Sequence, residues 1–427
     1  MEGSSRIGSR VTATIVSNRA TLRAANHCRV VRLGDVAMLV RGVSYKPSDL
    51  GTRGGGRIAL LRATNIVDGR LDLDNTVYVD RQRVSVEQRL RPHDIVVAMS
   101  SGSRTAVGKL AQLPQPWIGT FGAFCSVIRA HGSEIAPVFL GFLLRTSQFR
   151  DRIELMAQGT NIKNLSKDHL LGFEFQLPPL DEQLRIARIL STIHRARDLN
   201  APVLAHSQRL KRKLIEHLFA PDSRPGNSTE WHVVPVGSLC TGVFDGPHAT
   251  PTKTDEGPLF LSISSLNQGH LDLTRSAHLS ESDFARWTRR VVPQADDVVF
   301  SYETRLGEVA LLPKGLRCCL GRRLALMRPD TAKVEPWFLT YAYLSPAFQQ
   351  TLADNTVIGS TVHRLPLNRF ADFPIEVPSL ETQRLIVRIL REIDRKIECE
   401  SSINRALESL AVSSLSSLMA RRTLQTT

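Results

Sequence analysis

The chain has 427 residues, 42% of them hydrophobic, and carries a formal net charge of +14. That length exceeds one compact core, so two domains are expected, and the apolar content excludes wholesale disorder. No run of about 18 apolar residues occurs, which argues against a membrane-spanning helix, and the excess of base points to a polyanion such as nucleic acid.

Residues 1–27 hold four arginines and one acid, Glu2. They read as a loose N-terminal tail, or an over-extended start, rather than a targeting segment. A first unit spans 28–178, with 20 Lys+Arg against 13 Asp+Glu. It opens on the short run Val30–Gly34. Strand-length runs follow at Arg57–Arg62 and at Asp94-Ile-Val-Val-Ala, with a turn at Gly69 between them. A helical stretch is expected over Pro137–Leu155. The unit closes with a glycine-led polar loop from Gly159, a short apolar strand and Pro178.

The texture then changes. Residues 179–219 form a long helical segment with apolar residues near three- and four-residue spacing, among them Ile186, Ile189, Ile193, Leu210, Leu214 and Leu218. Pro202 interrupts it, and Asn200 is placed to cap a new helix, so a broken rod is expected. The stretch 220–230 reads as a linker. A second unit, 231–378, carries 14 Lys+Arg against 15 Asp+Glu, so any DNA contact there must come from a local patch. A second long helix covers 379–420 (Ile386, Ile389, Ile393, Ile397, Leu407, Leu410, Leu418), and 421–427 is a tail.

The two halves are copies. Gly159, Leu165, Phe173, Pro178, Leu180, Gln183, Ile186, Arg188, Ile189, Leu190 and Ile193 each meet the same residue type 200 positions later. Gly69, Leu71, Asp72 and Leu73 match Gly269, Leu271, Asp272 and Leu273 at the same offset. Such duplication is read before anything else, because two copies of one unit should present two copies of one kind of site. The fold class that follows is α+β: two duplicated mixed α/β domains separated by two long helices that form an antiparallel coiled coil. Antiparallel pairing would place the units at opposite ends of a rod of about 58 Å. That length matches about 17 base pairs and suits a split, asymmetric site.

Paired Leu-Pro-Pro-Leu-Asp-Glu-Gln (177–183) and Val-Pro-Ser-Leu-Glu-Thr-Gln (377–383) each open a long Ile/Leu-rich helix. They resemble the boxes of the specificity (S) subunit of Type I restriction–modification systems. The loops Gly159-Thr-Asn-Ile-Lys-Asn-Leu and Gly359-Ser-Thr-Val-His-Arg-Leu look like the element that closes each target recognition domain of that family. The resemblance covers essentially 28–420. It implies a non-catalytic reader of double-stranded DNA, each recognition domain taking one half of a bipartite site. It also implies that the helices act as spacer and as docking surface for two methyltransferase subunits, joined by motor-nuclease subunits. The cofactors it implies, S-adenosylmethionine, ATP and magnesium, belong to those partners, and none is expected in this chain.

DNA contact is expected from polar and basic loop residues, because loops reach base edges while strands support them. In the first unit these are Ser103, Arg104, Lys109, Asn161, Lys163, Asn164 and Lys167. In the second they are Tyr302, Arg305, Thr361, His363, Arg364 and Arg369. Arginine pairs bidentately with guanine and asparagine with adenine, whereas Lys109, Lys163 and Lys167 suit phosphates. Gln183, Arg188, Gln383 and Arg388 are expected to pair with each other or to dock a methyltransferase. Phe173, Phe175, Phe373 and Ile375 read as core of a terminal strand.

No catalytic or metal residue is expected. Gly102–Lys109 resembles a phosphate loop but has five residues between its glycines, and Leu110 stands where Ser or Thr is required. The lone Asp-x-Lys, Asp394–Lys396, reads as a solvated helix face. The twelve histidines show no ligand spacing. Six scattered cysteines without a C-x-x-C pair fit a reducing cytoplasm. A fused methyltransferase or nuclease is disfavoured by length and missing motifs. A coiled-coil adaptor that reads no DNA remains the alternative.

Overall fold

The protein is described by a computed structural model that defines residues 28–100, 107–158, 165–226, 230–249, 251–359 and 362–420. The tails 1–27 and 421–427 lie outside the described residues. The chain divides into two compact units: unit 1 holds the chain up to Asp198 and again from Ala406, and unit 2 holds Leu199–Arg405. Each unit therefore takes in part of both long helices.

Unit 1 begins β1 (Arg29–Arg32), α1 (Leu33–Val36), β2 (Ala37–Arg41) and β3 (Arg57–Leu61). A hairpin of β4 (Ile66–Val67) and β5 (Arg70–Leu71) follows, then β6 (Val77–Asp80), β7 (Ile95–Ala98) and β8 (Leu110–Gln112). Next come β9 (Gly119–Phe121), β10 (Cys125–Ala130), α2 (Pro137–Leu143), α3 (Ser147–Gln158) and α4 (Lys167–Leu171). β11 (Glu174–Leu177) leads into the long α5 (Leu180–Phe219). Strands β2-β10-β7-β8 form one sheet and β6-β3-β9 another. All four residues of β7 are buried, as a continuous β-branched run requires in a strand covered on both faces. β11 pairs antiparallel with β1, Arg29 opposite Leu177, and so ties the end of the unit to its start. Phe173 and Phe175 are buried beside this pair.

Unit 2 repeats the plan with β12 (His232–Pro235), β13 (Cys240–Asp245) and β14 (Lys253–Leu261). The hairpin β15 (Leu266–Asn267) and β16 (His270–Leu271), then β17 (Ala277–Leu279) and α6 (Glu281–Trp287), come next. β18 (Val298–Ser301), β19 (Val309–Leu311), β20 (Cys318–Leu320) and β21 (Leu324–Pro329) complete its sheets. α7 (Pro336–Leu344), α8 (Pro346–Asp354), α9 (Leu367–Phe370) and β22 (Pro374–Val377) precede the second long helix, α10 (Leu380–Ala420). The sheet orders β13-β21-β18-β19 and β17-β14-β20 match those of unit 1 strand for strand. Both hairpins turn on two residues with positive φ, Asp68 (48°) and Gly69 (74°) or Gln268 (52°) and Gly269 (96°). That is the mirror-image turn that suits strand twist, and it explains the glycine shared at offset 200.

Four expectations are corrected. The helical stretches at 137–155 and 336–352 each break into two helices. Thr146 and Ser345 supply hydroxyls to the amides of Phe149 and Phe348, which starts a new helix at each point. Pro202 does not break the first long helix, which runs unbroken from Leu180 to Phe219. Asn200 is no cap there: its amide donates to the Glu400 carbonyl at 2.8 Å and to Asn404 Oδ1 at 2.9 Å. Within the linker, Arg224 pairs with Glu376 at 3.0 Å and stacks over Trp231. Finally, Ile189, Leu210, Ile389 and Leu410 lie on exposed faces of the long helices, not in the seam.

Within unit 2 the two helical segments run antiparallel. Partners of Asn200, Ser207 and Lys211 are Asn404, Glu400 and Asp394 in turn. Asp394 is fully buried, which corrects its reading as part of a solvated face. Lys211 Nζ lies 2.7 Å from its carboxylate and His270 Nε2 3.0 Å away, and the Tyr341 hydroxyl donates to it. Burial alone would raise the Asp394 carboxyl, but the hydrogen bond from His270 and the charge on Lys211 outweigh it and hold it at about 2.

Gln183 and Gln383 do neither of the things expected of them. Both are buried. Gln183 Oε1 accepts from the Ala136 amide at 2.8 Å, and its Nε2 donates to the carbonyls of Glu134 and Pro178, both at 2.8 Å. Gln383 Oε1 accepts from the Glu335 amide at 2.9 Å, and its Nε2 reaches the Lys333 and Pro378 carbonyls. Each glutamine therefore fastens the start of a long helix to the loop before α2 or α7. Gln183→Leu strands one amide and two carbonyls in a dry site. The expected cost is roughly 3 kcal/mol or more, since each of the three stranded groups costs about 1–3 kcal/mol. Denaturant unfolding of Gln183→Leu beside Gln183→Glu, which keeps the acceptor, measures it. Equal stability of Gln183→Leu and the unaltered chain refutes the clamp.

Candidate nucleic-acid interface

The two sheets of each unit meet at one end through close backbone approaches. In unit 1 the Gly42 amide donates to Cys125 O, Gly122 to Leu61 O, and Cys125 to Gly122 O. In unit 2 the same bonds run from Gly246 to Leu324 O, Gly321 to Leu261 O, and Leu324 to Gly321 O. A Cβ on Gly42 would stand 2.1 Å from Gly122 O, and one on Gly246 2.7 Å from Gly321 O, so only glycine admits this contact. From here the match proceeds bond by bond. Met99 N donates to Phe124 O as Tyr302 N does to Arg323 O, and Leu165 N donates to Met99 O as Leu365 N does to Tyr302 O. These bonds place Phe124 where Arg323 stands, Ser100 where Glu303 stands, and Arg62 where Ser262 stands.

The side chains at these positions differ sharply. Unit 2 carries ions: Arg323 Nε is 3.6 Å from Glu303, and Asp245 binds both the Arg290 guanidinium and, at 3.0 Å, His248 Nε2. Unit 1 carries an exposed aromatic, Phe124, beside half-buried Tyr45 and Arg62. Lys109 is likewise exchanged for Glu308, since Ala98 N donates to Lys109 O as Ser301 N donates to Glu308 O.

Several expected contact residues gather at this end of unit 2. His363 and Arg364 are exposed. The His363 carbonyl accepts from the Thr304 amide, and Arg364 exchanges both backbone bonds with Val357. Arg305 is half-exposed but committed: its guanidinium donates to Ile263 O and Leu266 O and pairs with Glu308 at 3.0 Å. Tyr302 is corrected to a core residue. It is buried, its hydroxyl donates to Arg322 O at 2.6 Å, and burial, aided by Glu303 and Asp245, pushes its phenol up to about 12. Lys109 is exposed beside β8, while Lys167 and Arg369 are exposed on the short helices α4 and α9. Ser103, Arg104, Asn161, Lys163, Asn164 and Thr361 lie outside the described residues. Sequence reasoning missed Arg62, Phe124, Asp245, Glu303 and Arg323, which become comparable only once the hydrogen-bond register is known.

Among the described residues no group of three or more His, Cys, Asp or Glu is placed to hold a metal ion, and no helix is long and apolar enough to cross a membrane. Residues 27–205 and 230–409 each match the family described as Type I restriction modification DNA specificity domain. The chain belongs to this family. The Escherichia coli K12 Type I restriction enzyme EcoKI specificity subunit is 29% identical over 403 residues, 88% of this chain and 84% of that protein. The StySPI specificity subunit of Salmonella potsdam is 35% identical over 159 residues, 37% of this chain and 34% of its own. The crystal structure of a Type I restriction–modification S subunit from M. genitalium shares the fold. Its TM-score is 0.59 at 14% identity, over 93% of this chain and 97% of that one. In this specificity-family chain the long helices keep Arg188 and Arg388 exposed, together with Leu184, Ile189, Leu385 and Ile389. Of the four residues expected to dock a partner, the two arginines are exposed and the two glutamines buried.

Proposed function

We propose that the chain is the non-catalytic DNA sequence-specificity subunit of a Type I restriction–modification complex, with each unit reading one half of a bipartite, asymmetric site. The observation that carries this reading is one scaffold built twice with different side chains at the same hydrogen-bonded positions of one loop cluster. A catalytic repeat would need to keep its chemistry in both copies; a reader of two different half-sites needs to change it. The exposed apolar and arginine faces of the long helices dock two methyltransferase subunits, and motor-nuclease subunits join that core. S-adenosylmethionine, ATP and magnesium serve those partners, in the cytoplasm, where the six free cysteines of this chain remain reduced.

The test is methylome sequencing of a methylation-free host that expresses the chain with its neighbouring methyltransferase gene, beside a host with the methyltransferase alone. A bipartite methylated motif is expected only with the chain present. A soluble complex of the two proteins that produces no motif refutes the reading and favours the coiled-coil adaptor.

A further inference from the structure

Unit 1 has a cavity of about 340 Å³ at the glycine-built end of its sheets, lined by Tyr45, Arg62, Thr64, Ser100, Gly122 and Phe124. Two features of it lack a structural reason. Phe124 is 64% exposed although it is a large aromatic side chain. Arg62 has its backbone amide bonded to Asn65, yet its buried Nε meets no partner, and among the described residues no carboxylate pairs with its guanidinium. Gly122 leaves room for the Tyr45 ring, since a Cβ there would stand 2.8 Å from Tyr45 Cε1. In unit 2 the same place holds a charge pair instead: Arg323 Nε faces Glu303 at 3.6 Å, too far for a hydrogen bond, and Ser262 bonds Ser264 at 2.8 Å.

An aromatic rim offers a stacking face, and an unpaired guanidinium offers a planar fork of donors. Together they complement a flat ring that carries two adjacent acceptors. Resting on the DNA-reading function above, we propose that this cavity receives a nucleobase of the first half-site, with Arg62 donating to its acceptor edge and Phe124 packing against its face. Guanine, which presents O6 and N7 side by side, is the base that geometry favours. The half-sites then differ because unit 1 presents a cavity with a free cation where unit 2 presents an ion pair.

The experiment is methylome sequencing of the complete methyltransferase complex carrying Arg62→Lys, Arg62→Gln or Phe124→Ala. Arg323→Gln serves as the unit 2 control. Thermal unfolding beforehand confirms intact complexes, which exposed Phe124 and unpaired Arg62 should permit. Both Arg62 variants are expected to relax one position of the first half-site by roughly 10-fold or more. The second half-site and spacer should stay fixed. Arg62→Lys keeps the charge but loses the fork, so a wild-type motif with Arg62→Lys would reassign the residue to phosphate contact and overturn the base-reading role. An unchanged first half-site in all three variants overturns the cavity altogether. Absence of any motif with the unaltered chain instead overturns the DNA-reading function on which the cavity rests.

Discussion

Asp394→Ala is expected to lower the stability of unit 2 by about 3–5 kcal/mol, the cost of leaving a buried charge without its partner. Lys211 is 4% exposed, and apart from Asp394 its ammonium has one close partner, the Gln268 carbonyl at 2.7 Å. Removing the carboxylate strands that ammonium and leaves His270 and the Tyr341 hydroxyl without their shared acceptor. A double change, Lys211→Met with Asp394→Leu, removes both charges and should recover most of the loss. Chemical denaturation of the three variants measures the difference, and a double variant as unstable as the single one would contradict the charge argument. The pH dependence has a definite sign. A carboxyl depressed to about 2 in the fold contributes its full stability above its ordinary value of 3.8 and loses it as pH falls through the folded value. The native chain should therefore lose an acid-labile increment between about pH 4 and pH 2, and Asp394→Ala should lack that increment.

The second large effect comes from a clamp that both units carry. Arg129 Nε and Nη2 bind the two oxygens of Asp94 at 2.8 and 2.6 Å, and the same guanidinium donates to the carbonyls of Glu87 and Arg89. In unit 2, Arg328 holds Asp297 in the same bidentate way at 2.8 Å and donates to the Val292 carbonyl. Each aspartate also accepts a backbone amide, from Arg91 or Gln294, and so pins the turn before β7 or β18. Burial separates the two cases: the Arg129 side chain is 8% exposed and that of Arg328 27%. Asp94→Ala should cost about 3–5 kcal/mol and Asp297→Ala clearly less, because water reaches the stranded guanidinium in unit 2. Site-resolved hydrogen exchange reads the units separately. Equal losses would show that exposure of the arginine does not set the cost.

The duplication was legible because strand and helix boundaries repeat at nearly constant spacing, and Gly69 and Gly269 sit where a mirror-image turn demands them. β7 was legible because an unbroken apolar run has few places to go except a buried strand. The reading surface was much less so. Gly69 and Gly269 are 200 apart, but Phe124 and Arg323 are 199 apart and Asp94 and Asp297 203, so equivalent side chains slip out of register between motifs. Asp394 looked solvated because its partners, Lys211, His270 and Tyr341, come from three distant stretches that no local pattern connects. Tyr302 shows the limit of loop reasoning. It follows a strand in a polar stretch, yet its ring is folded under the loop and its hydroxyl is consumed by Arg322. Pro202 was read from intrinsic propensity, which tertiary packing overrode. Neighbouring contacts from Asn200 hold the helix through it.

Unit 1 is assembled from two stretches of the chain with unit 2 between them. Leu407 and Ala411 pack against the cluster that contains Leu190 and Ile193, and Glu408 lines the cavity beside His194. A ribosome releases these residues only after the whole of unit 2. At about 5–20 residues per second, the stretch Leu199–Arg405 takes about 10–40 s to translate. For that interval the nascent first unit has a helix face without its cover, whereas unit 2 has all of its own chain once Arg405 emerges. The order of completion is thus the reverse of the order of synthesis: the second unit closes before the first.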